Sequence, residues 1–498
     1  MVSQNMWKCD VCGYVHRGDA PPNTCPICGV DADAFSPLEV TATRAPKRTA
    51  AKSGWRCIIC HYVDDGDAPP DRCPVCSADS DLFERDDAKE TGAATAPRKH
   101  VVIVGEGVAG ITAAEQVLVH GGDHVKLTLV GNEAPWPYYR LNLTRLLAGQ
   151  VTEAALTMKD EAWFAAHDIQ RITDTVTSID PRARRLTLKS GAVLDWDDLV
   201  LATGSHPFVP PISGANKAGV FTVRTLADVH AIHAQVTPET RVVIVGCGVL
   251  GLEAAGALTD KVSSVTVLES GPWAMMRQLN QTAAHHLVDF LQTRRIEVMT
   301  GVSAKEIEGG DRVTGVALTN GAHLDAELVI VSTGVRANTH LARQAGIETA
   351  QGIVVDDMMR TSAPHIYAAG DVAEHRGRMY GLWPAAFSQG FVAGTNAAGG
   401  EARFTAMAPF NQLKVLDVDV YSIGNIAPTD GSFRTFETGT VQQYCYLVMR
   451  DRRIVGAVLY GNTADAALIS SAIEHKTSID ELDALLARLP GFADFVRD

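Results

Sequence analysis

HVVIVGEGVAGITAAEQVLVHGGDHVKLTLVGNE, residues 100–133, has the pattern of an apolar strand, a glycine loop, a helix and a second strand. In such a unit Gly105 allows a tight turn, Gly107 lets the backbone approach a pyrophosphate, and Gly110 lets helix and strand pack closely. The N-terminus of the helix faces the phosphate, and Glu133, just after the second strand, is placed to accept a hydrogen bond from a ribose hydroxyl. The stretch predicts a dinucleotide-binding unit.

The same pattern returns as RVVIVGCGVLGLEAAGALTDKVSSVTVLE at residues 241–269. Its loop glycines are Gly246, Gly248 and Gly251. One such loop is weak evidence, but two loops in the full strand, loop, helix and strand context predict two dinucleotide sites. Glu269 ends the second strand, where a carboxylate pairs with a free ribose 2′-hydroxyl and repels a 2′-phosphate, which favours NADH over NADPH.

Ahead of these loops, one four-cysteine module occurs twice. Cys9, Cys12, Cys25 and Cys28 correspond to Cys57, Cys60, Cys73 and Cys76. Two facing CxxC turns supply the four thiolates of a tetrahedral site, which takes zinc or iron, and the spacing alone does not choose between the metals. Because a module of about 35 residues is too small to fold on a hydrophobic core alone, the metal should supply much of its folding energy.

Composition fits a soluble, multidomain protein. The chain has 498 residues, of which 46% are hydrophobic and 20% charged, so it should contain several packed domains. A net charge of -14 argues against a nucleic-acid or anionic-membrane surface. With no apolar run of about 20 residues and no basic, then apolar, N-terminal segment, we expect a cytoplasmic protein that is not inserted in a membrane.

Two cysteines lie outside the CxxC pairs. Cys247 occupies a variable position of the second glycine loop, as Glu106 does in the first, and we expect both merely to fill these positions. Cys247 is therefore not expected to be a nucleophile, and Cys445 is expected to be a buried strand residue.

Further motifs occur in a characteristic order: LVLATGSHPFVPP at 199–211, LVIVSTGVRANT at 328–339 and HIYAAGDVAEH at 365–375. Together with the two loops they resemble the FAD-dependent pyridine nucleotide reductases of the glutathione-reductase fold. Residues 131–149 and 380–394 look like the NADH:rubredoxin reductase and nitrite reductase large-subunit flavoproteins. No CxxxxC pair occurs, so the disulfide-reducing members of the fold are not the expected class.

The cysteine modules carry a resemblance of their own. WxCxxCGY followed by CPxCG resembles the rubrerythrin-type branch of the rubredoxin family. In that family the four cysteines hold one redox-active iron, so the resemblance favours iron over zinc in both modules.

The flavoprotein resemblance assigns roles to individual residues. Arg145 falls where relatives often carry a lysine near the flavin N5, and Trp383 is expected beside the isoalloxazine; these two are the candidate catalytic residues. Gly370 and Asp371 are expected to hold the FAD ribityl chain. The other residues expected to contact FAD or NADH are Arg140, Thr144, Thr203, Gly204 and Gly334.

The expected fold is α/β, with two nested Rossmann-like domains, a small α+β C-terminal domain packed against the flavin domain, and the two tetrathiolate modules. The expected segments are modules at 5–36 and 54–85, flexible linkers at 37–53 and 86–98, an FAD-binding domain in two parts at 99–215 and 336–404, an NAD-binding domain at 216–335, and the C-terminal domain at 405–498.

These features predict an NADH-dependent FAD oxidoreductase that passes single electrons to its own two rubredoxin-like iron centres and then to an external electron-accepting protein. A first alternative is the electron-input flavoprotein subunit of a larger reductase complex. A second is a flavin NADH oxidase or sensor whose modules are zinc ribbons that bind a protein. A homodimer is compatible with all three.

Overall fold

The computed structural model describes residues 98–405, 410–415, 418–482 and 488–497, together with six short strands and a few single residues before residue 98. Among the described residues, no helix is long and apolar enough to cross a membrane.

Each cysteine module contains a three-stranded antiparallel sheet. The strands are β1 (Met6–Cys9), β2 (Val15–Arg17) and β3 (Phe35–Leu38), and then β4 (Gly54–Cys57), β5 (Val63–Asp64) and β6 (Phe83–Asp86). The orders are β2-β1-β3 and β5-β4-β6. Cys9 pairs with Phe35 and Cys57 with Phe83, so the two modules share one strand arrangement and register, as a duplication requires.

The rest of the chain is a series of sheets and helices. Its strands are β7 (Lys99–Val104), β8 (Val125–Gly131), β9 (Gln170–Thr173), β10 (Val176–Asp180), β11 (Arg185–Leu188), β12 (Val193–Asp195), β13 (Asp198–Leu201), β14 (Ser205–Pro207), β15 (Val220–Phe221), β16 (Arg241–Val245), β17 (Ser264–Glu269), β18 (Ile296–Thr300), β19 (Ala304–Glu308), β20 (Gly315–Leu318), β21 (His323–Asp325), β22 (Leu328–Val331), β23 (Val335–Ala337), β24 (Ile353–Val355), β25 (Ile366–Ala368), β26 (Ala373–His375), β27 (Phe410–Val415), β28 (Val418–Gly424), β29 (Arg434–Gly439), β30 (Tyr444–Arg450) and β31 (Arg453–Tyr460). Its α-helices are α1 (Val108–Gly121), α2 (Leu143–Ala148), α3 (Glu153–Leu156), α4 (Glu161–Ala166), α5 (Leu226–His233), α6 (Val249–Leu258), α7 (Gln281–Thr293), α8 (His340–Gln344), α9 (Trp383–Ala397), α10 (Ala466–Glu474) and α11 (Phe492–Arg497).

The first glycine loop belongs to a five-stranded parallel sheet of order β25-β13-β7-β8-β9. Its central strand β7 is a continuous apolar run whose last four residues are buried, as expected for a parallel strand covered on both faces. Helices α1 and α9 pack against each other on this sheet. Because parallel strands end at one edge, the loops after β7, β13 and β25 meet there.

The second glycine loop belongs to a second parallel sheet of order β15-β22-β16-β17-β18. Each parallel sheet is accompanied by a small antiparallel one, β10-β11-β12 and β19-β20-β21. Strands β14 and β23 pair antiparallel and connect the two halves. The nested Rossmann-like arrangement predicted from the motifs is therefore present.

The C-terminal region forms a five-stranded antiparallel sheet of order β27-β28-β31-β30-β29, with helices α10 and α11. Alternation along β30 places Tyr444 and Tyr446 on one face and Cys445 on the other. The tyrosine face packs in one hydrophobic cluster with α6 and α7 of the NAD-type sheet, and the Tyr460 hydroxyl donates to the carbonyl of His286 at 3.2 Å. The aromatic face is thus buried against the NAD-type half, in a cluster that also contains Leu143 and Leu147 of the FAD-binding segment. The expectation that this region caps the flavin domain stays a prediction.

Candidate active site: two glycine loops and the residues between them

The first glycine loop has the geometry that a bound dinucleotide requires. Gly105 has φ +114°, and its N–H donates to the Val130 carbonyl at 2.8 Å. A Cβ added to Gly105 would lie 2.0 Å from the Ala202 carbonyl oxygen, and one on Gly110 would lie 1.9 Å from the Gly105 oxygen. In the part of the chain that the structure describes, no atom lies within 4 Å of a Cβ added to Gly107. The loop is closed on the protein side and open where FAD pyrophosphate would approach, so its residues fit the cofactor.

The second loop repeats this geometry, as its predicted NADH site requires. Gly246 has φ +110°, and its Cβ would lie 2.3 Å from the Ser332 oxygen, while the position at Gly248 is open. A Cβ on Gly251 would lie 2.2 Å from the Gly246 oxygen. Among the described residues, no side chain caps the N-terminus of α1 or of α6. The first-turn N–H groups of these helices are therefore oriented as an anion site requires.

Glu133, predicted as a ribose ligand, lies in a small polar cluster after β8. Its carboxylate accepts a hydrogen bond from Tyr138 at 2.6 Å and forms an ion pair with Arg140 at 2.6 Å. The Tyr138 hydroxyl also accepts from Arg140 Nη1 at 2.9 Å, and burial raises the pKa of this phenol. Glu133 and Arg140, predicted separately, are thus direct partners. Tyr138 was not predicted, although the run PYYR placed it beside Arg140.

Glu106 has a larger role than the sequence suggested. Its carboxylate accepts from Arg171 Nε at 2.7 Å and Nη2 at 2.9 Å, and the two side chains are only 8% and 11% exposed. Arg171 also donates to the carbonyls of Glu133 at 3.0 Å and Pro135 at 2.7 Å. The expectation that Glu106 merely fills a variable position is wrong, because the buried ion pair fixes the turn that carries Glu133.

The predicted ribityl-binding pair lies at the end of β25. Gly370 has φ +82°, and its N–H donates to Gln389 Oε1 at 2.9 Å. Asp371 Oδ2 accepts from Ser205 Oγ at 2.9 Å and from Arg224 Nη2 at 3.3 Å. Ser205, Arg224 and Gln389 therefore belong to the candidate site but were not singled out from the sequence.

Thr203, Gly204 and Gly334 lie where the two halves of the protein connect. Asn338 donates from Nδ2 to the Thr203 carbonyl at 2.7 Å and from its backbone N–H to the Gly204 carbonyl at 3.0 Å. The Gly334 carbonyl accepts from the Phe208 N–H at 2.8 Å. The three residues help to fix the connection between the sheets, and their contact with FAD or NADH stays a prediction.

One contact links the two dinucleotide units directly. Thr144 Oγ1 donates to Glu253 Oε2 on α6 at 3.0 Å. Burial raises the pKa of Glu253 to about 7, opposed by this hydrogen bond.

Arg145 follows Thr144 in α2 and is half-buried. Trp383 opens α9, where its ring stacks on Phe387 at 5.4 Å with an interplanar angle of 16°. The predicted roles of Arg145 and Trp383 beside the flavin stay predictions.

Glu269 is held at the end of β17 by two backbone donors. Its carboxylate accepts from the N–H groups of Cys247 at 3.3 Å and Gly271 at 2.7 Å. Cys247 is fully buried, and burial, with the Glu269 charge, raises its pKa to about 12. Such a thiol is a poor nucleophile at neutral pH, as expected. Cys445 is buried in β30, again as expected.

The predicted metal ligands are only partly within the described structure. Cys9 ends β1 and Cys57 ends β4. The other six cysteines, and the side chains of all eight, lie outside the described residues, so the tetrathiolate sites stay predictions of the sequence. Elsewhere in the described part of the chain no group of three or more His, Cys, Asp or Glu residues could hold a metal ion.

Comparison with family models identifies the class of protein. Residues 99–390 match the pyridine nucleotide-disulphide oxidoreductase family, and the chain belongs to that family. Residues 409–477 match the rubredoxin NAD+ reductase C-terminal domain. Residues 7–36 and 55–84 match the rubrerythrin, rubredoxin-like domain.

The chain is also similar to individual proteins of known name. The chain is 34% identical over 388 residues to the nitrite reductase [NAD(P)H] of Bacillus subtilis (strain 168), covering 77% of this chain and 48% of the relative. It is 31% identical over 374 residues to the assimilatory nitrate reductase electron transfer subunit of the same organism, covering 74% and 48%. The chain thus spans about half the length of these two relatives.

A third relative matches over nearly its whole length. The NADH-rubredoxin oxidoreductase of Clostridium acetobutylicum is 29% identical over 390 residues, covering 78% of this chain and 98% of the relative. The crystal structure of the protein of that name from this organism has a TM-score of 0.69 to this chain, at 29% identity, and covers 78% of this chain and 100% of its own.

These comparisons confirm the predicted family, the α/β fold and the class of enzyme, an oxidoreductase. The family match implies FAD and NAD(H) as cofactors, and the rubredoxin-like match implies iron centres, as predicted.

Proposed function

We propose that this chain is a cytoplasmic, NADH-dependent FAD oxidoreductase that delivers electrons to its own two rubredoxin-like iron centres, and from them to an external electron-accepting protein. The observation that carries the proposal is the presence in one chain of a flavoprotein of this family, a rubredoxin-reductase C-terminal domain and two rubredoxin-like modules. A reductase and its typical acceptor are thereby joined covalently.

The number of cysteine modules matches the number of electrons that one hydride carries. Bound FAD would supply the conversion between the electron pair of a hydride and the single electrons that iron accepts. The four cysteines of each module would hold one iron, which would supply a capacity of one electron, so two modules together would match the pair from one NADH. The duplication thus serves either two parallel acceptors or a relay in which one module meets the flavin and the other meets the partner.

The residues of the large domain have positioning roles in this proposal. The open first turns of α1 and α6 receive the two pyrophosphates, and Glu269 recognises the NADH ribose. Thr144 and Glu253 hold the two dinucleotide units together between the sites. The 12 residues between β6 and β7, 87–98, can reach about 40 Å when extended, so they would keep the modules at high local concentration.

An anaerobic NADH titration of the full chain tests the proposal. FAD and two irons together accept four electrons, so about two NADH should be consumed per chain. Replacing Cys9 and Cys12 by Ser, or Cys57 and Cys60 by Ser, should each lower this to about 1.5, with flavin reduction unaffected; Cys445→Ala is the control outside the modules. Uptake of about one NADH by every variant and by the unmodified chain would exclude electron transfer to the modules.

A second candidate is favoured by two relatives. The similarity to a nitrite reductase and to a nitrate reductase electron transfer subunit supports a role as the electron-input part of a larger reductase. This second function predicts that one reductase protein co-purifies with the chain. NADH should reduce that protein only when the chain is present. Reduction of several unrelated acceptor proteins at similar rates would argue for the first candidate instead.

A further inference from the structure

Helix α9 carries a row of three aromatic side chains, Trp383, Phe387 and Phe391. They are spaced four residues apart, so they follow one another along one side of the helix. Trp383 and Phe387 are half-buried and stack on each other at 5.4 Å, and Phe391 is 40% exposed. Among the described residues, none of the three belongs to any of the four hydrophobic clusters of the chain. This aromatic row is therefore an apolar surface that the cores of the large domain leave uncovered.

The chain that follows module 2 (residues 54–85) enters the large domain beside the other end of α9. Lys99, the first residue of β7, donates from Nζ to the carbonyl of Ala397, the last residue of α9, at 2.7 Å. Measured along the helix, Phe391 lies about 9 Å and Trp383 about 21 Å from Ala397. Because residues 87–98 reach about 40 Å when extended, module 2 can reach the whole aromatic row from its point of attachment.

Charge also favours module 2 as the partner of this surface. Residues 54–85 contain seven acidic and three basic residues. The loop 376–382, which leads into α9, carries Arg376 and Arg378, and both side chains are exposed. Arg376 forms an ion pair with Asp357 at 2.8 Å, whereas Arg378 forms none within the described part of the chain. Since opposite charges steer association, this loop would draw an acidic module towards the start of the aromatic row.

We propose that module 2 docks on the aromatic row of α9, with Phe391 nearest to its point of attachment and Trp383 nearest to the predicted flavin position. The inference rests on the proposed function and adds which of the two modules meets the flavin. The row is about 12 Å long, and a compact module of about 35 residues has a radius of gyration of about 9 Å, so one module covers it. Module 1, which is joined to module 2 through residues 39–53, then meets the external acceptor protein.

Photo-crosslinking in the full-length chain tests this docking. Replacing Phe391 by the photoreactive amino acid p-benzoylphenylalanine keeps an aromatic ring at an exposed position, and mass spectrometry identifies the residues that it captures. Val119 is the matched control position, because it is 61% exposed and apolar. Its neighbour His120 lies 3.5 Å from a Cβ added to Gly400, just after α9. Both positions are thus near the point of attachment, but only Phe391 belongs to the aromatic row.

We expect position 391 to capture residues 54–85 with at least about fivefold the yield of position 119, because aromatic side chains contribute most to binding at protein interfaces. Equal yields from the two positions, or no capture from position 391, would overturn the inference. Capture of residues 5–36 in place of 54–85 would also overturn it. So would capture of a second copy of the chain, which is recognised by mixing isotope-labelled and unlabelled protein.

The crosslinking needs no NADH, so its result is separate from that of the anaerobic titration. Failure to capture module 2 by a chain that consumes about two NADH would overturn the docking site and leave the proposed function in place. Uptake of about one NADH per chain would overturn the proposed function itself.

Discussion

At the scale of single residues, the glycine pattern described the loops well but not the side chains between the glycines. Glu106 occupies a variable position of the motif and yet forms the buried ion pair with Arg171. The two residues are 65 positions apart, and nothing in the local sequence of either one indicates the other. Arg224 and Asp371 are likewise 147 positions apart. The loop glycines, whose role depends on the backbone conformation, could be predicted from the sequence. Side-chain partners that lie far apart in the sequence and are brought together by the fold could not.

Loss of Arg171 should be strongly destabilising. Arg171→Leu leaves the Glu106 carboxylate buried without its partner, which typically costs about 3 kcal/mol or more. We expect Arg171→Leu to lower the free energy of unfolding by this amount, measured by urea denaturation. Arg185→Leu is the control, because the pair of Arg185 with Asp195 is 60% and 76% exposed, and such pairs contribute about 0.5 kcal/mol. Equal effects of the two substitutions would refute the anchoring role of Glu106 and Arg171.

Glu253 should make stability depend on pH. Its pKa in the folded chain, raised to about 7, exceeds the value of about 4.3 in an unfolded chain. Between these values the folded chain binds a proton that the unfolded chain releases, so stability falls as pH rises from about 4.5 to 7 and then levels off. Glu253→Gln should remove this slope, measured by urea unfolding at several pH values.

The exposed Glu239→Gln substitution is the control for that experiment and should leave the slope in place. The same slope in Glu253→Gln as in the unmodified chain would show that another group causes it.

At the scale of elements, α9 is positioned by small residues facing α1. A Cβ on Gly394 would lie 2.3 Å from the Ala113 oxygen, so the two helices approach more closely than any larger residue permits. This contact brings Gln389 and Trp383 to the edge of the first sheet. The run of small residues in α9 was visible in the sequence, but its partner helix, nearly three hundred positions earlier, was not.

Gly394→Ala should separate the two helices. The added methyl group meets backbone rather than a movable side chain, so we expect a loss of about 2 kcal/mol in stability. Gly310→Ala is a matched control, because no described atom lies within 4 Å of a Cβ added there and the φ of Gly310 is not in the left-handed region. Calorimetric Tm values that fall equally in both variants would contradict the role assigned to this contact.

The C-terminal sheet shows another limit of prediction at this scale. Alternation along β30 predicts which side chains share a face, because that property is local. It does not predict which element covers the face. The tyrosines of that face pack on α6 and α7, a choice that depends on the shape of the whole molecule.

At the scale of the whole molecule, the order of motifs along the chain was enough to predict the nested arrangement of two parallel sheets. Each motif is a local signal, and their order resembles that of the FAD-dependent pyridine nucleotide reductases. The duplicated cysteine modules were equally evident, and their sheets share one strand order. How the modules would meet the flavin is specified by neither composition nor motif.

In the proposed function, electrons from NADH reach iron within one chain. The most direct measurement is the iron and zinc content of the purified full-length protein, with its visible spectrum recorded anaerobically before and after NADH is added. We expect about two irons per chain, whose absorbance bleaches together with that of the flavin. Two zincs per chain, with only the flavin responding to NADH, would contradict it and make the modules structural.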